Sequence, residues 1–92
     1  MHFESIHNYY EALVVEHIMN TLGREPDVEQ GFLEDVACLA LNQLPPRYVR
    51  HDEDMAFFLS IREREKMQQR ITEAVLEATR RARENNAQQR RH

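Results

Sequence analysis

Apolar residues recur at steps of three and four residues along most of the chain, which is the spacing of one face of an α-helix. Only two glycines are present, Gly23 and Gly31, and runs of β-branched residues are scarce. The first apolar stripe consists of Ile6, Tyr9 or Tyr10, Leu13, Val14, His17, Ile18 and Leu22. Gly23 follows this stripe and is placed to end a helix in a left-handed cap. The pattern therefore predicts a first helix that is capped by Ser5 and ends at Gly23.

The second apolar stripe lies between a turn and a pair of prolines. Asp27 is predicted to cap this helix, with Gln30 as its capping-box partner. Gly31 weakens this stretch, so the helix begins either near Asp27 or after Gly31. The residues that share its apolar face are Phe32, Val36, Leu39 and Ala40. Pro45 and Pro46 end the helix, because proline lacks an N–H and disfavours the α region at the residue before it.

The third helix is predicted to be long, with Asp52 or Asp54 as its cap. Its first apolar residues, Phe57, Phe58 and Ile61, are expected to face inward. Charges then occupy every face over residues 62–66, before the stripe resumes at Met67, Ile71, Val75, Ala78 and Ala82. We expect this helix to leave the core or break at residues 62–66 and to rejoin an apolar partner, which in so small a chain is a second subunit.

The predicted fold class is therefore all-α. It is a single small domain over residues 1–92, with three main helices and a Pro-Pro loop between the second and the third. A chain of 92 residues buries a limited core, and its single cysteine cannot form an intrachain disulfide. Association of two copies into a two-fold homodimer is the expected source of additional stability.

Charge is distributed unevenly along the chain. The formal net charge is −4, which argues against a protein that coats nucleic acid through bulk charge. Residues 80–92 nevertheless contain five arginines and one glutamate, and residues 86–92 are predicted to fray. This basic tail either docks an acidic partner, nucleic acid or a membrane surface, or only complements the helix dipole and nearby glutamates. We favour the second interpretation.

The best candidate for a binding site is the segment Arg47-Tyr48-Val49-Arg50, directly after the prolines. Arginine binds phosphate through a two-pronged fork, and both arginine and tyrosine stack on bases. This loop therefore suits a nucleotide, with Arg47 and Arg50 on phosphates or guanine edges and Tyr48 on a base. Asn42 is expected to fix the loop through side-chain hydrogen bonds. In the alternative interpretation, Tyr48 and Val49 plug the core while the arginines are solvated.

One segment resembles the core of the late competence protein ComFB family. It is the run Asp35-Val36-x-x-Leu39-Ala40-Leu41-Asn42-x-Leu44-Pro45-Pro46-Arg47-Tyr48-Val49. Asn8, Glu11, Leu13 and Val14 also fit the opening pattern of that family, and the resemblance covers roughly residues 6–80. It implies a dimeric receptor of cyclic dinucleotide second messengers, cyclic di-GMP in particular. One Arg-Tyr-x-Arg loop from each subunit would then hold one half of a two-fold ligand.

The resemblance also raises the question of zinc. Members of the competence-system type carry a cysteine cluster between their first and second helices that resembles a structural zinc site. Residues 23–31 contain neither cysteine nor histidine here, so zinc is not expected. Cys38 has apolar neighbours and is predicted to be buried and inert. His51 lies beside Asp52 and Asp54, either as part of a metal or acid-base site or, as we favour, as a solvated residue next to a helix cap.

No Gly-rich phosphate loop and no catalytic triad pattern occurs, so an enzyme is not expected. The sequence lacks an apolar stretch of membrane-spanning length and a signal-peptide pattern, which predicts a cytoplasmic protein. The expected function is a non-catalytic receptor that relays a cyclic dinucleotide signal to an unidentified downstream protein, in competence, motility or transcription. The alternative is a helical adaptor without a small ligand that docks a protein or DNA.

Overall fold

The computed structural model describes residues 3–90, and the side chains of residues 3–87. The chain is mostly helical, with one short antiparallel pair of strands. The elements in chain order are β1 (His7–Asn8), α1 (Tyr10–Asn20), a 3-10 helix (Leu22–Arg24), α2 (Gln30–Gln43), β2 (Tyr48–Val49), α3 (Asp52–Phe58) and α4 (Ile61–Arg90). The expected helical class is thus broadly confirmed, with four α-helices rather than three. The strand pair was not predicted.

The core lies where α1 and α2 pack against the long helix α4. Val14 of α1, Val36 of α2 and Ile71 of α4 are its largest fully buried side chains. Further along α4 the buried positions include three alanines at steps of four residues, Ala74, Ala78 and Ala82. Small residues on one face allow neighbouring helices to approach closely. The apolar stripe of α4 is therefore buried within the chain, and the expectation that only a second subunit could cover it is wrong.

The predicted caps of the first helix differ from the observed ones. The helix begins at Tyr10, not after Ser5, and the side chain of Asn8 accepts a hydrogen bond from the Tyr10 N–H. At the other end, the N–H and the hydroxyl of Thr21 both donate to the carbonyl of His17. Gly23 does not adopt a positive φ and lies in the 3-10 helix. Because Thr21 already satisfies the free carbonyls, a left-handed glycine cap is unnecessary.

The cap of the second helix lies two residues later than predicted, at Glu29 instead of Asp27. Glu29, with extended backbone, occupies the N-cap position of α2, so the predicted capping box at Asp27 is wrong. Gly31 lies inside the helix, and α2 ends at Gln43. Leu44 then has the extended backbone that a following proline favours.

The break in the third predicted helix comes earlier than expected. Leu59 has extended backbone, and the hydroxyl of Ser60 accepts a hydrogen bond from the Glu63 N–H, which makes Ser60 the cap of α4. The helix α4 then continues without interruption through residues 62–66. The break between α3 and α4 therefore lies at the extended Leu59 and the capping Ser60. The charged residues 62–66 do not interrupt the helix.

The apolar residues around this break point outward. Phe57, Phe58 and Ile61 are 86%, 75% and 78% exposed, whereas Met55 of α3 is buried. The expectation that the two phenylalanines and Ile61 face the core of the chain is therefore wrong. They form an exposed apolar surface on α3 and the first residue of α4, which we call the α3 patch.

Within residues 3–90, the helices lack the combination of length and apolar character that a membrane crossing requires. The helix α4 extends to Arg90, whereas Arg91 and His92 lie outside the described residues. The predicted fraying of residues 86–92 stays a prediction.

Candidate functional site

The segment after the prolines is positioned by pairing with the start of the chain. Strand β2 runs antiparallel to β1, with His7 opposite Val49 and Asn8 opposite Tyr48. The Tyr9 N–H also donates to the carbonyl of Arg47, at 2.7 Å between nitrogen and oxygen. These backbone hydrogen bonds hold the loop against the N-terminus of α1. The predicted loop is therefore an ordered strand at this point.

Asn8 provides the side-chain contact that fixes this arrangement. Its Oδ1 accepts hydrogen bonds from the N–H of Tyr10, at 3.2 Å, and from the N–H of Arg47, at 3.0 Å. The hydrogen bond from Tyr10 is buried and the one from Arg47 is partly buried, so the Tyr10 N–H in particular would be poorly solvated without Asn8. One amide oxygen thus ties the first turn of α1 to the beginning of the candidate loop.

Asn42 was expected to fix the loop, and the structure assigns that contact to Asn8 instead. The Asn42 Nδ2 donates to the carbonyl of Cys38 in its own helix, at 2.9 Å. Both residues are exposed, so the prediction that Cys38 is buried is wrong. The error arises because α2 presents Val36 and Ala40 to the core, and Cys38 lies between them on the outer side of the helix.

Arg47 lies at a cavity of about 280 Å³ between the loop and α4. Its polar lining includes two further cations, Lys66 and Arg70, and one acid, Glu63. The apolar wall comes from Tyr10, Leu59 and Met67. We call this cavity the cationic pocket. Its three cations and one anion give it a formal charge of +2 in a chain whose net charge is −4.

Lys66 and Arg70 are the site residues that the sequence reasoning missed. They lie four residues apart on α4, and thus on one face, beside the buried Met67 and Ile71. In the sequence they belong to a charged stretch, which is typical of a solvated face. Two cations at helical spacing that flank a buried position were the signal that could have identified them.

The other two loop residues occupy a different position from Arg47. Tyr48 begins strand β2, and it lies outside the group of described residues that line the cationic pocket. Tyr48 is 67% exposed, and the interpretation that it plugs the core is wrong. Arg50 is also exposed and lies outside the group of described residues that line the cationic pocket. The structure thus separates Arg47 from Tyr48 and Arg50, which the sequence reasoning had grouped as one site.

The histidine that pairs with an acid near the loop is His7, not His51. Its Nε2 lies 2.6 Å from Oδ1 of Asp52, and its Nδ1 lies 3.3 Å from the carbonyl of Ser5. Because both ring nitrogens face acceptors, the doubly protonated ring satisfies both. The hydrogen bond to Asp52 therefore raises the pKa of His7 above its usual value, with a further contribution from Ser5. The pair links β1 to the first turn of α3.

A second cavity of about 280 Å³ adjoins the cationic pocket and shares Leu59 and Met67 with it. The remaining apolar lining is Tyr9, Leu13, Ala56 and Ile71, and its polar lining is Asp52, Arg64 and Gln68. The Arg64 guanidinium donates to the Ala56 carbonyl at 2.8 Å, which connects α4 to α3. We call this second cavity the apolar pocket.

Two arginines near the end of α4, Arg80 and Arg83, lie beside acidic residues. Arg80 forms ion pairs with Glu77 and Glu84 at helical spacing, and its hydrogen bond to Glu77 lowers the pKa of that carboxyl. Arg83 lies 4.0 Å from Glu25. The pairs of Arg80 agree with the favoured interpretation of charge that complements its own helix, whereas the contact of Arg83 joins α4 to the segment after α1.

A family model for the late competence development protein ComFB matches residues 7–86. This match spans most of the chain. The chain belongs to the ComFB family. Its matched region contains both strands, both pockets and the helices that form the core. No curated protein and no solved structure matched the chain significantly.

The zinc site that the resemblance implies for some ComFB proteins does not fit this chain. Structural zinc takes cysteine and histidine ligands, and residues 21–29 between α1 and α2 supply only the carboxylates Glu25, Asp27 and Glu29. Among the described residues, no three His, Cys, Asp or Glu side chains lie together as metal ligands would.

Replacement of Asn8 tests the contact that positions the loop. Asn8→Ala leaves the N–H groups of Tyr10 and Arg47 without their acceptor, and we expect it to lower the free energy of unfolding by about 1–3 kcal/mol. Asn8→Asp keeps an acceptor at the same place and should lose less. Urea denaturation of the three proteins measures this, and equal loss in both variants would contradict the role of the side-chain oxygen.

The His7–Asp52 pair predicts a specific pH dependence of stability. A histidine whose pKa is raised in the folded state stabilises the protein fully below its unfolded pKa, near 6.5. This contribution is lost as the pH rises through the folded pKa. The free energy of unfolding of wild type minus that of His7→Gln should therefore be larger at about pH 5.5 than at about pH 9. Asp52→Asn should reproduce this profile, and a difference that is constant with pH would contradict the ionic pair.

Proposed function

We propose that this protein is a non-catalytic cytoplasmic receptor for a cyclic dinucleotide, with cyclic di-GMP as the first candidate, that relays the signal to a downstream protein. The observation that carries the proposal is the convergence of Arg47, Lys66 and Arg70 on one pocket that Tyr10 also lines. Membership of the ComFB family supports the ligand class, because the resemblance implies receptors of this kind.

The charge of the pocket suits a phosphodiester. Like charges repel, so three cations around one cavity are unfavourable unless an anion or water occupies it. Arginine presents a planar fork to two phosphate oxygens, whereas lysine supplies a compact charge. An acidic protein with one positive cavity attracts an anionic ligand to that place rather than to its surface in general.

The location of the pocket would allow a bound ligand to affect the arrangement of several elements of the fold. Arg47 precedes β2, whereas Lys66 and Arg70 belong to α4, so a bound phosphate would join two elements that are far apart in the sequence. Leu59, in the same pocket, lies between α3 and α4. A ligand that prefers one arrangement of these elements shifts their population by the difference in its affinities. The orientation of α3 is the feature that a downstream protein would detect.

Isothermal titration with cyclic di-GMP tests the proposal, with cyclic di-AMP and GTP as controls. Hydrogen bonds to charged groups contribute about 1.5–3 kcal/mol, so Arg47→Ala and Arg70→Ala should each weaken binding about tenfold or more. Arg62→Ala removes the same charge from an exposed position on α4 outside the pocket lining and should bind as wild type does. Arg50→Ala is expected to have a smaller effect than Arg47→Ala.

The stability of the protein gives an independent measurement. A ligand at 100 times its Kd stabilises a receptor by about 2.7 kcal/mol, which appears as a rise in Tm. Absence of both heat and thermal shift with all three nucleotides would reject the receptor and favour the alternative, a helical adaptor.

We also propose that the receptor is a two-fold homodimer that associates through the α3 patch. Phe57, Phe58 and Ile61 are all at least 75% exposed and lie close together along the chain, and clustered exposed apolar residues are typical of interaction surfaces. Because a two-fold dimer uses the same surface of both copies, one contiguous patch is sufficient. Such a dimer also matches a ligand that consists of two identical halves.

Sedimentation of variants tests the dimer. Phe57→Glu combined with Phe58→Glu places charge in the proposed interface and should give a folded monomer. Leu76→Glu is the matched control, because Leu76 is also exposed, at 67%, but lies about four turns beyond Ile61 on α4. A wild-type protein that remains monomeric at high concentration, or a double variant that remains dimeric, would overturn the interface.

A further inference from the structure

We propose that the apolar pocket beside the cationic pocket binds the base of the nucleotide, and that Asp52 selects guanine over adenine. This inference rests on the proposed function and adds to it a specificity-determining residue. The two cavities share Leu59 and Met67 as a common wall, so a ligand with its phosphate beside Arg47 has a neighbouring compartment for the group attached to it.

The composition of the apolar pocket suits a flat heterocycle. Tyr9, Leu13, Leu59, Met67 and Ile71 supply apolar and aromatic walls, and the volume of about 280 Å³ is near the lower end of the usual range for ligand sites. Proteins that bind an unpaired base place it against such side chains and read its edge with a few polar groups. The polar groups here are Asp52, Arg64 and Gln68.

Arg64 uses one of its five N–H donors within the fold, and Asp52 is oriented by its neighbour. The Arg64 guanidinium donates to the Ala56 carbonyl, whereas the Asp52 carboxylate receives its hydrogen bond from His7 through Oδ1. A carboxylate has about four acceptor positions, so Asp52 retains Oδ2 and part of Oδ1 for a ligand. His7 is a positioning residue in this arrangement, because it holds the carboxylate at a fixed direction from β1.

A carboxylate at this place distinguishes the two purines. The Watson–Crick edge of guanine presents two adjacent donors, N1–H and the N2 amino group, which a carboxylate accepts together. Adenine presents one amino donor beside the N1 lone pair, and that lone pair would face the negative charge of Asp52. The attraction to guanine is charge-assisted, and the contact with adenine is partly repulsive.

The test is titration of Asp52→Asn with cyclic di-GMP and cyclic di-AMP. Removal of a negative charge by itself favours any anionic ligand, so a general electrostatic effect would strengthen binding of both. Loss of the paired acceptors should instead weaken cyclic di-GMP about tenfold or more while cyclic di-AMP binds as well as before or better. Asp54→Asn is the matched control, because it makes the same charge change two residues away, outside the pocket lining.

A second variant tests the cavity without a charge change. Ala56 is exposed on α3 and lines the apolar pocket, so Ala56→Leu fills part of its volume without disturbing the core. We expect weaker binding of cyclic di-GMP with an unchanged Tm of the free protein. Unchanged affinity would show that the base lies elsewhere.

The outcomes separate this inference from the proposed function. If Asp52→Asn behaves as Asp54→Asn does while Arg47→Ala still weakens binding, the cationic pocket remains the ligand site and the role of Asp52 is rejected. If the wild-type protein binds neither cyclic dinucleotide, both the function and the base compartment are rejected.

Discussion

The side-chain oxygen of Asn8 holds together the two parts of the chain on which the candidate site depends. It accepts from the N–H groups of Tyr10 and Arg47, so separation of the start of α1 from the segment after the prolines would leave one buried and one partly buried donor unpaired. The strand pair and the hydrogen bond from Tyr9 to Arg47 follow from the same juxtaposition. These contacts hold the backbone of Arg47 beside the pocket that it lines together with residues of α4.

The second constraint is electrostatic. Most charges in this chain face water or form pairs at helical spacing, such as Arg80 with Glu77 and Glu84. The charges of the cationic pocket are exposed too, but they are unbalanced, because Arg47, Lys66 and Arg70 outnumber its one acid, Glu63. A local excess of positive charge of this kind suits a site whose ligand supplies the opposite charge.

The segment around α3 combines three features that are otherwise separate. Asp52 receives the hydrogen bond of His7, Ala56 and Leu59 line the apolar pocket, and Phe57 and Phe58 form most of the α3 patch. A helix of seven residues has little stability of its own, so its position depends on the contacts of Asp52, Met55 and Leu59 with the rest of the fold. For this reason we propose α3 as the connection between an occupied pocket and a partner protein or second subunit.

The sequence by itself determined the helical class, the end of α2 before Pro45 and Pro46, and the segment that contains Arg47, because these follow from local periodicity and from the fixed φ of proline. Helix caps were less predictable. Thr21 donates to a free carbonyl at the end of α1 and Ser60 accepts from a free N–H at the start of α4, where other residues were equally good candidates. Only the tertiary structure decided that Lys66 and Arg70 join Arg47, that His7 meets Asp52, and that Phe57 and Phe58 remain outside. Such contacts depend on how α4 and β1 pack against the rest of the fold. A local pattern of charged or apolar residues does not show which distant segments of the chain come together.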